Sequence, residues 1–294
     1  MEYKSFEPET DLEKENLKSM GITELFYTIQ GEGKNIGQPS VFVRTGGCTL
    51  SCSYCDTKYS SRPNYKSIIK ISNMDDSLEV VNKIVEIGTE GDRNVKSCVF
   101  TGGEPLQTHH IDNLSTMVGS LWGSYNIKSV FETTMITEPK SVLFKNKNVW
   151  SETIDIWDKL TRFIQVSPKD GVVQFCISPK LDISCYRADV TLTDIFIFYR
   201  PNIDCEICEE TDNLMTFKIV YYPEIENEIL QFVDEFYNYP NLRNSIYIMP
   251  YTKFPYSRDE FHESCLTTVD FCKKHSLNYS PREHIYLYDL KKGV

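Results

Sequence analysis

Short apolar, β-branched runs alternate along this chain with stretches whose apolar positions recur every three or four residues. Ser40–Arg44 (Ser-Val-Phe-Val-Arg) reads as a strand, and Lys96–Thr101 as another that ends in Gly102-Gly103. Ser129–Thr133, Phe175–Ser178, Met215–Tyr221 and Ser245–Pro250 read likewise, and the pattern predicts a last strand over Ile285–Tyr288. Between them, Leu78, Val81 and Val85 share a helical face behind a possible capping box of Asp76 and Glu79. Ile225, Ile229, Phe232, Val233 and Phe236 share another, and a helix is expected from about Arg258 to His275. This alternation predicts an α/β fold whose parallel strands are covered by helices. Function then sits on the loops at the carboxyl ends of the strands. Pro139–Asp170 is polar, holds two of the three tryptophans and has no clean period, so it reads as an insertion of loop and short helix. The expected organisation is one domain over 1–294, with 277–294 as a C-terminal strand and tail.

Composition narrows the class. With 40% hydrophobic and 25% charged residues over 294 positions, the chain is neither disordered nor collagen-like, and it is long enough to bury a core without disulfide staples. The 31 basic against 42 acidic residues leave a net charge of −11, which argues against a charge-driven nucleic-acid partner. The first residues, Met-Glu-Tyr-Lys-Ser-Phe-Glu, lack a basic stretch followed by an apolar one, and no apolar run approaches the roughly 20 residues that span a bilayer. A cytoplasmic chain with no membrane partner is expected. In that reducing setting the ten cysteines are free thiols or metal and cluster ligands rather than disulfides.

Three of them stand apart. Cys48-Thr-Leu-Ser-Cys52-Ser-Tyr-Cys55 has C-x3-C-x2-C spacing behind Gly46-Gly47, close enough for three thiolates to converge on one metal centre. Zinc needs a fourth ligand, and none lies nearby in sequence. A [4Fe–4S] cluster held by three cysteines instead of four keeps one iron open to a small molecule. Gly102-Gly103-Glu104, after a strand, lets backbone N–H groups approach a ligand closely and sets a carboxylate beside them.

These motifs resemble the radical S-adenosylmethionine (SAM) superfamily, whose signature pairs such a triad, with an aromatic residue (here Tyr54) before its last cysteine, with a Gly-Gly-Glu segment. A narrower resemblance rests on Phe26-Tyr-Thr-Ile-Gln30-Gly31-Glu32-Gly33, Gly37-Gln-Pro39-Ser-Val-Phe-Val-Arg44 and Asp56-Thr57. Farther on come Thr101–Pro105, Phe131-Glu132-Thr133, Ser178-Pro179-Lys180, Phe217-Lys218, Met249-Pro250 and His284. This set is similar to the 7-carboxy-7-deazaguanine synthase family. The resemblance implies a partial, open (βα) barrel of the radical SAM type, with a modified, insertion-bearing core. It implies ring contraction of 6-carboxy-5,6,7,8-tetrahydropterin with loss of ammonia, using SAM, a [4Fe–4S] cluster on Cys48, Cys52 and Cys55, and Mg²⁺ on Thr57. It further implies substrate contacts at Ile29, Gln30, Gly31, Glu32, Arg44, Thr101, Glu132 and His284. SAM is expected against Tyr54, Cys55, Asp56, Gly103, Glu104, Ser178, Pro179, Lys180, Met249, Pro250, Tyr251 and Thr252. A flavodoxin- or ferredoxin-like electron donor and a homodimer complete the expectation. The competing readings are a glycyl-radical-enzyme activating enzyme, which shares the triad but acts on a partner protein, and a zinc-binding interaction protein without catalysis.

Other candidates read blandly. Cys205-Glu-Ile-Cys208 is a second C-x2-C best taken as a loop with two thiols, its conceivable zinc partners being Cys185, Cys265, Cys272 or His275. Phe261, Cys265, Thr268 and Cys272 share a helical face and read as core, as do the strand residues Cys98 and Cys176. His109-His110 read as a cap or a solvent-facing pair. Of the two Ser-Pro-Lys tripeptides, the second (Ser178–Lys180) follows a strand and is preferred over Ser167–Lys169. Whether the tail after Tyr288 reaches the site stays open.

Overall fold

Residues 10–16, 18–137, 148–186, 190–201 and 214–293 are described by a computed structural model. α1 (Asp11–Asn16) leads into β1 (Met20–Ile29), which turns back as β2 (Pro39–Thr45). α2 (Lys58–Ser61) and the short β3 (Ile69–Ile71) follow. Helix and strand then alternate through α3 (Met74–Thr89), β4 (Ser97–Gly102), α4 (Ile111–Tyr125), β5 (Lys128–Thr133), α5 (Val149–Thr161), β6 (Val173–Ile177), α6 (Leu192–Tyr199) and β7 (Met215–Tyr221). α7 (Glu226–Asp234), α8 (Pro240–Asn244), β8 (Ile246–Pro250), α9 (Arg258–His275), β9 (Asn278–Tyr279) and α10 (Glu283–Tyr288) complete the chain.

The strands form one sheet in the order β3-β1-β2-β4-β5-β6-β7-β8-β9. β1 runs antiparallel to both of its neighbours, and every pair from β2 to β9 is parallel. The sheet ends in β3 and β9 and stays open, as expected of a partial barrel. Parallel order puts the carboxyl ends of β2 and of β4 to β9 along one rim. In-register Phe100, Phe131 and Phe175 stack across β4, β5 and β6 with ring centroids 5.0 and 5.8 Å apart. Each such ring, fully buried, contributes roughly 1.5–3 kcal/mol. α3, α4 and α5 pack side by side.

Four expectations are corrected. The α3 cap lies three residues upstream of the expected box: Asn73 Oδ1 accepts from Asp76 N, and Asp76 accepts from Ser72 N, while Leu78 is exposed. The segment read as an insertion carries α5, the crossover helix between β5 and β6; Asn148 caps it, and Val149, Trp150, Thr153, Ile156, Trp157 and Leu160 are buried. Residues 138–147 of that segment lie outside the described residues. Ile285–Tyr288 belongs to a helix, and the last strand is Asn278–Tyr279. His110 takes the N-cap position of α4, without a side-chain cap bond, and is fully buried rather than solvent-facing; its Nδ1 lies 3.0 Å from Pro105 O, and burial pushes its pKa down to about 3. Cys98 and Cys176 are core thiols as expected, and Phe261, Thr268 and Cys272 are buried together on α9. Cys205 and Cys208 lie outside the described residues.

Candidate active site

The rim holds a cavity of roughly 240 Å³, and most of the candidate residues reach it. β2 carries Arg44 one residue before its end and delivers the Cys48–Cys55 loop; β4 ends in Thr101–Gly102 and delivers Gly103-Glu104; β5 ends in Glu132-Thr133. Ser178 and Lys180 follow β6, Met249 is the last residue but one of β8, and Arg282 and His284 follow β9. Ile29 to Glu32, at the end of β1, and Tyr54, Asp56 and Thr57 complete the wall. Pro179, Pro250, Tyr251 and Thr252 lie off it. Tyr251 instead packs on Tyr54 in a T-shaped pair, ring centroids 5.7 Å apart, and Thr252 Oγ1 accepts from Arg282. Ser167–Lys169 sits ahead of β6, at the other end of that strand. The tail does reach the cavity: Asp289 to Gly293 line its mouth, with Lys292 Nζ 3.6 Å from the Tyr59 ring centroid.

Two glycines set the distance between the cysteine loop and β4. Gly102 has φ +113°, a conformation other residues rarely adopt. At Gly103 a Cβ would meet Gly47 O at 1.6 Å, and the bonds Gly103 N to Thr45 O (2.9 Å) and Glu104 N to Gly47 O (2.7 Å) seal the contact. Gly103→Ala is therefore expected to destabilise the chain by at least about 3 kcal/mol, since backbone on one side leaves nothing to yield. A thermal melt beside wild type checks this, and an unchanged melting temperature contradicts it.

Glu104 is fully buried, and burial raises its pKa. Its carboxylate nevertheless accepts from Thr133 Oγ1, Thr134 N and Oγ1, and Leu106 N. Four donors within the protein make it a staple between the β4 and β5 loops. Arg44 donates from Nε to Glu24 (2.7 Å), which also accepts from Tyr59, and its guanidinium stands 5.8 Å from the Phe26 ring centroid. Thr57 Oγ1 donates to Gly102 O (3.3 Å).

The thiols of Cys48, Cys52 and Cys55 face the same cavity. Burial pushes Cys48 up to about 12, while hydrogen bonding with Cys185 brings Cys52 down to about 7. Cys48 Sγ accepts from Leu50 N at 3.4 Å, and Cys55 Sγ lies 3.6 and 3.5 Å from the hydroxyls of Thr57 and Ser61. Among the described residues no three Cys, His, Asp or Glu side chains already surround one metal-sized point. The donor chemistry still fits an iron–sulfur cluster. Three cysteines of one loop line one cavity, and the Cys48 and Cys55 sulfurs are held only by long, weak contacts.

Sequence reasoning gave no role to Lys218 and missed Arg282, both on the cavity wall. Lys218 donates to Glu32 and, at 3.0 Å, to Glu132; Arg282 donates to Glu32 at 2.8 Å and also to Asp56. Burial alone would raise the pKa of Glu32, but the Lys218 and Arg282 cations hold it well below the usual carboxylate range. Asp56 is lowered likewise against its burial, chiefly by Arg282. Burial holds His284 below its ordinary value. A signal existed in Phe217-Lys218: a lysine inside an otherwise apolar strand must either face water or find buried carboxylates.

The fold is an open α/β sheet that carries a three-cysteine loop on the rim at its strand ends. The profile of the "4Fe-4S single cluster domain" matches residues 29–168. QueE from Escherichia coli shares the fold, with a TM-score of 0.51 over 93% of this chain and 98% of that one, at 16% identity. In sequence the chain resembles 7-carboxy-7-deazaguanine synthases. It is 29% identical to the one of Clostridium acetobutylicum over 190 residues, 62% of this chain and 78% of the relative. It is 40% identical to the Rhodospirillum rubrum protein over 93 residues, and 34% identical to the Rickettsia prowazekii protein over 88. Those stretches are 31% and 29% of this chain, and the chain spans about a third (33%) of the length of each of these two relatives. Among the described residues no helix is long and apolar enough to cross a membrane.

Proposed function

We propose that this chain is a radical SAM enzyme that converts 6-carboxy-5,6,7,8-tetrahydropterin to 7-carboxy-7-deazaguanine with loss of ammonia. The observation that carries the reading is convergence: the three cysteines, Gln30–Glu32, Arg44, Thr57, Thr101–Glu104, Glu132 and His284 meet on one cavity though they span more than 250 positions of sequence. Cys48, Cys52 and Cys55 would hold the cluster. When bound, the cluster supplies the electron that cleaves SAM and so starts radical chemistry on the substrate. The backbone of Gly103 and the Tyr54–Asp56 segment, with Ser178, Lys180 and Met249, would bind SAM beside it. Gln30 and Glu132 offer acceptors and donors to the pterin edge. Arg44 turns its guanidinium to the substrate carboxylate, for which its planar fork suits. Thr57 offers one hydroxyl to a Mg²⁺ ion whose remaining ligands are substrate oxygens and waters. An external flavodoxin- or ferredoxin-like donor and a homodimer belong to the same reading.

The test is anaerobic incubation of the reconstituted protein with SAM, reductant and the carboxy-tetrahydropterin, with product identified by mass spectrometry. Absence of the deazapurine from a preparation with about four irons per chain sinks the proposal. Arg44→Ala is expected to raise KM for the pterin by about tenfold or more, the worth of a charge-assisted hydrogen bond. Steady-state kinetics decide this, and an unchanged KM removes Arg44 from the substrate site.

A further inference from the structure

Lys218 and Arg282 place two positive charges on the cavity wall, where three carboxylates meet. All seven residues of β7 are buried, so the Lys218 stem runs among apolar neighbours and its ammonium emerges between Glu32 Oε2 and Glu132 Oε1. Arg282 donates from Nε to Glu32 Oε1 and from its two Nη groups to Thr252 Oγ1 and Asp56 Oδ2. Both oxygens of Glu32 are thus taken by cations. Glu132 Oε1 also accepts from Gln30 Nε2 at 3.1 Å, and its Oε2 accepts from Thr101 Oγ1 at 2.9 Å. Exposure sorts the group in two. The side chains of Lys218, Arg282 and Glu32 are 5, 8 and 9% exposed, whereas those of Glu132 and Asp56 are 18 and 24% exposed.

We infer that Lys218 and Arg282 are positioning residues, which with Glu32 form a buried bridge that aims the carboxylates of Glu132 and Asp56 into the cavity as fixed acceptors for ligand N–H groups. Glu32, expected from sequence at the substrate, then acts through this bridge. Without its cation partner, such a carboxylate loses the charge-assisted hydrogen bond that fixes its orientation and is free to turn away from a ligand N–H edge. A lysine suits position 218 because three rotatable donors on a point charge can reach carboxylates from two different elements, which a planar guanidinium cannot do as freely. The inference rests on the pterin reading only for the identity of the ligand.

The experiment compares wild type, Lys218→Met and Lys218→Arg, each reconstituted with iron and sulfide. Lys218→Met is expected to raise KM for the pterin by about tenfold or more with a smaller fall in kcat and unchanged iron content, and Lys218→Arg to recover part of the loss. If Lys218→Met does not fold, Lys218→Gln, neutral but still a donor, is read the same way. A KM within about twofold of wild type overturns the inference while wild-type turnover keeps the function. If wild type makes no deazapurine, the function fails instead, and crystal structures of wild type and Lys218→Met decide the inference. A displaced Glu132 carboxylate supports it, and an unmoved one overturns it.

Discussion

Cys52→Ala, reconstituted anaerobically beside wild type, is expected to fall from about four irons per chain to well under one and to lose SAM cleavage to background. A cluster held by three thiolates has no spare protein ligand: it already leaves one iron without a cysteine, and losing a second exposes the cluster to dissolution. Cys52 is the informative choice because its thiol hydrogen-bonds with Cys185, a fully buried cysteine outside the triad whose carbonyl accepts from Ser51 N at 2.8 Å. If Cys185 took its place, iron would persist in Cys52→Ala and vanish only when both were replaced. Cys272→Ala is the matched control, since that thiol is buried on α9, off the cavity wall. Retention of about four irons and of SAM cleavage by the Cys52→Ala, Cys185→Ala double variant would falsify the assignment of the cluster to this loop.

What the sequence revealed depended on how local each signal was. The parallel strands β2 and β4 to β8 were legible because each is a short apolar run ending at a chemically distinctive loop. The cysteine triad was legible because its three members lie within eight residues. β1 was missed although it is ten residues long: a register shift between Ile22 and Glu24 breaks the period-two pattern that announces a strand. α5 was hidden by its serine, threonines and aspartates, whose propensity for helix is low. Counting positions 149, 150, 153, 156, 157 and 160 recovers its buried face. Ile285–Tyr288 is a short aromatic and branched run, and periodicity cannot tell strand from helix at that length. The charged bridge was out of reach for another reason. Arg282 meets Glu32 and Asp56 across 250 and 226 positions, and nothing in Ser-Pro-Arg-Glu-His hints at either partner.

That bridge also makes the second large effect, on stability. Arg282→Met keeps most of the buried stem but removes the cation, leaving Asp56 and one oxygen of Glu32 without their partner. Breaking a buried ion pair from one side costs about 3–5 kcal/mol, and the loss is expected in urea melts at pH 8. Its pH dependence separates charge from packing. In wild type the folded-state pKa values of Glu32 and Asp56 are depressed, so the stability they contribute is present above their unfolded values, near 4.5 and 3.8, and is lost as pH falls through the lower folded ones. Without Arg282, burial dominates at Asp56, with only the weaker influence of His284 and Arg44 to oppose it. Its folded pKa then rises above the unfolded value, the folded state binds the extra proton, and the variant gains stability as pH falls toward about 5. Glu32 moves less, because Lys218 stays on its other oxygen. The gap between wild type and Arg282→Met should therefore be wide at pH 8 and narrower at pH 5. A gap of equal size at both would assign the cost to lost packing and leave the carboxylates without need of the cation.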